Sequence, residues 1–119
     1  MIGLDVLVLE GASASAAGTT IDVVAAANRI AGKPSFDLRF VSPEPRVNLR
    51  GGLVADAQPL AHTTPRDVIV TPGLGAATAE EMAARLGAPD IAIAGQWLSR
   101  TGARSGHVAA SCTAVFVLG

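Results

Sequence analysis

The residues with the most chemistry in this sequence stand near its end. Val108-Ala109-Ala110-Ser111-Cys112-Thr113-Ala114-Val115-Phe116 reads as strand, sharp turn, helix, with a thiol at the turn. That arrangement is a nucleophile elbow: the side chain is lifted off the top of a sheet and set at a helix N-terminus. Small residues must flank such a turn so that strand and helix can approach, and Ala110 and Ala114 are both alanine. A helix N-terminus favours the thiolate over the thiol, so Cys112 is a candidate nucleophile. The plain alternative is a buried structural cysteine.

A second constellation is Val70-Thr71-Pro72-Gly73-Leu74-Gly75, a turn at the end of an apolar strand. In a parallel sheet the C-terminal strand ends gather around one crevice. A Pro-Gly-x-Gly turn there can aim backbone N–H groups at an anion or oxyanion. It is equally readable as an ordinary strand-to-helix turn. The two histidines add little. His62 lies in a Leu-Ala-His-Thr-Thr-Pro loop, and His107 precedes Cys112 by five, an odd strand spacing that sets the two side chains on opposite faces. Glu10 is the carboxylate expected at the crevice edge, Asp5 a hydrogen-bonded strand residue, and Trp97 a core or subunit contact.

The elements that must position these groups follow from pattern. Ile2 to Leu9 is a nearly continuous aliphatic run, the mark of a strand covered on both faces. Residues 11–18 read as a small-residue loop, and Thr19-x-x-Asp22 as a capping-box variant opening a helix. Ile21, Val24, Ala25 and Asn28 recur along it at helical spacing, and Gly32 with Pro34 ends it. A strand over 36–41 follows, then a hairpin or ribbon at 50–56, and a short buried strand at 68–70. Thr78 starts a second helix with Glu80 and Glu81 in its first turn. Residues 90–104 form a third helix with Ile91, Ile93, Ala94, Trp97 and Leu98 toward the sheet, and 107–111 the last strand. This order predicts an α/β class fold, a doubly wound and mostly parallel sheet with helices on both faces, flavodoxin-like. The chain stops soon after an apolar helix begins at Thr113. The expectation is therefore an N-terminal part of one longer domain.

Composition narrows the function classes. The 119 residues are 50% apolar and 16% charged with a net charge of −1, enough for one core that buries roughly two-thirds of the unfolded surface. Eight of the nine basic residues are arginines scattered along the chain, which argues against a nucleic-acid-binding face. A lone cysteine excludes an internal disulfide and a cysteine-based zinc cluster. No cofactor motif or metal-ligand spacing is present. The N-terminal apolar run is too short for a membrane span, and the expectation is a cytoplasmic protein.

The phrases VLVLEG, AAANRIAGKPSFDLRFVSPE, VIVTPGLGA and VAASCTAVFVLG, in that order, resemble the N-terminal half of the ThiJ/PfpI superfamily, whose fold is class I glutamine amidotransferase-like. Within it they are most similar to sensor domains of AraC-type transcriptional regulators. That resemblance implies a non-catalytic ligand-sensing domain with a small-molecule effector pocket lined by Gly73, Leu74, Gly75, Cys112 and Thr113. It also implies a homodimer, and DNA contact only through a helix-turn-helix domain outside residues 1–119. Enzymes of the superfamily carry an acid after the first strand that hydrogen-bonds the elbow cysteine, and the matching position here is Ala16, flanked by Ser15, Ala17 and Gly18. Leu74 stands where the family turn has a second glycine, and Ala114 where a glycine follows Cys-Thr. The rival reading is a cysteine-dependent hydrolase or isonitrile-hydratase-like enzyme, with Cys112 catalytic and N–H groups of Leu74, Gly75 and Thr113 as oxyanion donors. A structural or redox-sensing module is a third.

Overall fold

A computed structural model of the chain describes residues 1–64, 66–101, 104–110 and 117. The central strand β1 (Ile2–Leu7) pairs on one side with β2 (Phe36–Ser42) and on the other with β6 (Val68–Thr71). The short β5 (Gln58–Pro59) extends the β2 side and β7 (His107–Ala110) the β6 side, in the order β5-β2-β1-β6-β7 with every pairing parallel. The chain first builds outward from β1 through β2, then crosses back to β6, so the topological switch point lies between β1 and β6. A ligand crevice is expected outside the strand ends at that point. Between β2 and β5, β3 (Arg46–Asn48) and β4 (Val54–Asp56) form a separate antiparallel ribbon.

The alternation of β1 divides the core in two. Leu7 and Leu9 join Val41, Ile69, Leu74 and the inner residues of α2 (Ala79–Leu86) and α3 (Pro89–Thr101). Val6 and Val8 face the other way, against Leu38, Phe40 and Val47. Helix α1 (Ala14–Ala31) has its first turns beside Val70, the register partner of Val6, and so covers this second face. Helices on both faces of a parallel sheet are the predicted doubly wound class.

Asp5 is wholly buried on β1, and its register partner Arg39 grips it with two hydrogen bonds of 2.8 Å. Arg66 adds a 3.5 Å contact and also binds Asp37 at 2.6 Å. The Arg66 guanidinium lies where a Gly3 side chain would be, since a Cβ there would clash with its Nε. The expected hydrogen-bonded strand residue is thus a buried ion-pair centre. Asn28 also gains a purpose: its Oδ1 accepts the Ser35 and Phe36 N–H groups and its Nδ2 donates to the Phe36 carbonyl, tying α1 to the start of β2.

Several boundaries differ from the sequence expectation. The stretch 11–18 is not all loop: α1 begins at Ala14, capped by Ser13, whose Oγ accepts the Ala16 N–H. Alanine has the best helix propensity, so three alanines (Ala14, Ala16 and Ala17) behind a serine cap extend the helix upstream of Thr19. Ile21 is 42% exposed and Ile93 46%, so neither packs on the sheet as its spacing suggested. On α3 the inward positions are Ile91, Ala94, Trp97 and Leu98 at three- and four-residue steps, and Ile93 falls between them. Helix α3 ends at Thr101 and β1 at Leu7. The hairpin is a ribbon whose strands lie at 46–48 and 54–56. Trp97 is a core residue whose Nε1 donates to Thr63 Oγ1 at 3.0 Å.

Candidate functional site

Three segments meet at the switch point: the loop between β1 and α1, the first turns of α1, and the turn Pro72–Gly75 after β6. The first and third are bonded directly, because the Ser13 N–H donates to the Gly73 carbonyl at 2.8 Å. They also approach too closely for side chains. Gly75 has φ +77°, and a Cβ on it would sit 2.5 Å from the Gly11 carbonyl oxygen. Gly75 is therefore required by both conformation and space.

Around this junction the residues expected to line a pocket divide. Gly73 is buried and Gly75 half-buried. The Leu74 side chain is buried in the core with Leu7, Ile69 and Trp97, so only its backbone can face a ligand. Cys112 and Thr113, with Ala114, lie outside the described residues. The approach to them is described: β7 runs beside β6 with Ala110 opposite Thr71, so the strand leading to Cys112 ends next to the strand leading to the Pro-Gly turn.

Ala16 lies at the crevice. A cleft of about 340 Å³ opens beside it, lined by Ser15, Ala16, Thr19, Thr20, Val70 and Pro72. These described walls carry hydroxyls and methyls and no carboxylate. The Thr20 hydroxyl already donates to the Ala16 carbonyl at 2.9 Å, and the Ala16 N–H is held by the Ser13 cap. Sequence reasoning missed Thr19 and Thr20 as cleft residues because it placed the helix start at Thr19. The serine cap before an alanine run was the signal that could have located them.

Glu10 lies three residues past the end of β1, yet its side chain is turned elsewhere. Its carboxylate accepts the Asn48 N–H at 3.2 Å and the Asn48 amide at 2.8 Å. It lines a second cleft of about 330 Å³ with Pro43, Arg46, Asp90 and Ile93, not the cleft at Ala16. The Glu10 N–H donates to Asp90, which also takes both terminal nitrogens of Arg85. Burial pushes the Asp90 carboxyl up, but the Arg85 hydrogen bonds and charge and the N–H groups of Glu10 and Ile91 outweigh it and hold the group below its ordinary value. His62 is exposed on a single 3₁₀ turn, and His107 is exposed at the opposite end of β7 from the crevice. Among the described residues, no three His, Cys, Asp or Glu side chains gather as a metal site, and no helix is long and apolar enough to cross a membrane.

A five-stranded parallel sheet with a Pro-Gly turn and a helix N-terminus at its switch point defines an α/β fold of the flavodoxin-like kind. A similar fold is found in solved structures at low sequence identity. An AraC family transcriptional regulator from Pseudomonas putida matches with TM-score 0.74 and 21% identity over 98% of this chain and 60% of its own. A candidate transcriptional regulator from Vibrio parahaemolyticus matches with TM-score 0.76 and 15% identity over 98% and 59%. A DJ-1 superfamily protein from Agrobacterium tumefaciens matches with TM-score 0.67 and 21% identity over 99% and 57%. The ThiJ/PfpI-like resemblance read from the sequence therefore holds at the level of fold. The chain spans about three-fifths of the length of these structures. No family profile and no curated protein matches the sequence.

Proposed function

We propose that this chain is a ligand-sensing domain of an AraC-type transcriptional regulator and that its crevice binds a small-molecule effector without transforming it. One observation carries the reading: the crevice position where an acid would serve a cysteine is Ala16, in a cleft whose described walls hold only hydroxyls and apolar groups. Glu10, the nearest alternative carboxylate in the sequence reading, is engaged by Asn48. General acid–base work on a thiol needs a proton acceptor within hydrogen-bond reach. In this reading Gly73, Gly75 and the backbone of Leu74 form the effector floor together with Cys112 and Thr113. DNA would be contacted by a helix-turn-helix domain outside the 119 residues, in a cytoplasmic homodimer.

The test is a thermal-shift screen of the intact protein against small metabolites, which reports binding linkage directly. A ligand that raises the melting temperature and is recovered unchanged supports sensing. Turnover of such a ligand, lost in Cys112→Ala, would overturn it in favour of a cysteine-dependent hydrolase or hydratase. A parent gene without a helix-turn-helix segment, or a monomer by light scattering at tens of micromolar, would remove the regulator and dimer parts respectively.

A further inference from the structure

We propose that Arg50 latches the β3–β4 ribbon to the Pro-Gly turn, so that ribbon and turn loosen as one unit. The ribbon is bonded to the loop after β1 by the Gly11 N–H to the Asn48 carbonyl at 2.8 Å, and by the Arg50 N–H to the Ala12 carbonyl at 2.9 Å. The Asn48 backbone and amide both hold Glu10. On the far side, Arg50 Nη1 donates to the Gly75 carbonyl. The turn is itself bonded back to the loop through Ser13 and Gly73, which closes a circuit of loop, ribbon and turn. Arg50 is its side-chain link between ribbon and turn.

The chemistry of that link suits a latch. Arg39, Arg46, Arg66 and Arg85 each pair with an aspartate, whereas Arg50 is exposed and holds a neutral carbonyl. One hydrogen bond to a neutral acceptor at the surface is readily exchanged for water, and more readily for an anion. The ribbon base is fixed, with Val47 buried against Val6 and Val8. Its tip is free to respond: Gly51 and Gly52 make the bend, and Leu53 and Val54 beyond them are 62% and 57% exposed. The latch is a property of the unliganded chain. If the effector reading above is correct, occupancy of the turn is felt at the ribbon tip; if that reading fails, the latch still stands.

Amide hydrogen exchange of the intact protein tests this. Arg50→Ala should speed exchange about tenfold at Gly11 and Asn48, and equally at Ser13, whose partner Gly73 belongs to the turn and not to the ribbon. The Val8 amide, bonded to Val41 in the sheet, should not move. Arg50→Lys, which keeps the charge but not the fork, should fall between, and Leu53→Ser at the tip should change none of these amides. Faster exchange at Gly11 and Asn48 with Ser13 unchanged would overturn the proposal, because Arg50 would then secure the ribbon alone. A rise at Val8 equal to the others, in both Arg50 variants, would also overturn it.

Discussion

Replacing Gly75 by alanine tests the junction on which the crevice rests. The backbone there has φ +77°, and Gly52 in the ribbon bend has φ +88°, so alanine meets the same left-handed penalty at both positions, about 1–2 kcal/mol. The gain from a stiffer unfolded chain is also common to both and cancels in the comparison. The surroundings differ. A Cβ at Gly52 meets nothing within 4 Å, whereas at Gly75 it would lie 2.5 Å from the Gly11 carbonyl oxygen. Even close C–H···O contacts keep carbon and oxygen about 3.3 Å apart, so turn and loop must separate by close to an ångström. That movement strains the Ser13–Gly73 hydrogen bond, at about 1 kcal/mol, and adds the penalty of overpacking a tight site, about 1–3 kcal/mol. Gly75→Ala should therefore be less stable than Gly52→Ala by about 2–4 kcal/mol in urea unfolding followed by circular dichroism. It should also weaken any ligand-induced thermal shift, which Gly52→Ala should leave intact. Equal unfolding midpoints for the two variants would refute the close approach of turn and loop.

Further expectations concern other parts of the framework. Asp5→Asn leaves Arg39 and Arg66 beside a neutral group and should lower stability by about 3–5 kcal/mol, against about 0–1 for Asp56→Asn in the exposed pair with Arg46; comparable losses in unfolding titrations would contradict the burial of Asp5. Asn28→Ala removes three hydrogen bonds between α1 and the start of β2 and should cost about 2–3 kcal/mol by the same measurement. Asp90 titrates below its ordinary value of 3.8 in the folded chain, so its stabilising contribution is complete above that value and disappears as pH falls through the lower folded pKa. Unfolding titrations of Asp90→Asn should accordingly lose part of the acid sensitivity below about pH 4 that the parent shows. Ala16→Glu places a carboxylate in the 340 Å³ cleft and should suppress a ligand-induced thermal shift, and an undiminished shift would move the effector elsewhere.

The main strands and helices and their order were legible because each rests on local physics, whereas β5 and the first ribbon strand at 46–48 were not read from the sequence. Ile2–Leu9 and Val68–Val70 are aliphatic runs that only a strand covered on both faces accommodates, and the Pro-Gly punctuation after Val70 marks where it must stop. The sequence marks Asp5 only as hydrogen-bonded and Trp97 as a core or subunit contact; that both are buried is read from the packed sheet. Helix registration was less legible. Ser13 and Thr19 are both competent caps; the alanines behind Ser13 favour the earlier start, and the Ser13 N–H bond to the Gly73 carbonyl, sixty residues away, adds a tertiary support that no local pattern shows. Tertiary structure alone decided that Glu10 turns to Asn48 and leaves the cleft at Ala16, that Leu74 buries its side chain, and that Arg50 reaches Gly75. None of these has a periodic signal, because each depends on which strand ends the parallel sheet brings together. The sequence by itself determines the layers of this protein; the meeting of loop, helix start and turn, which makes the crevice, is set by strand order and by the close approach of Gly11 and Gly75.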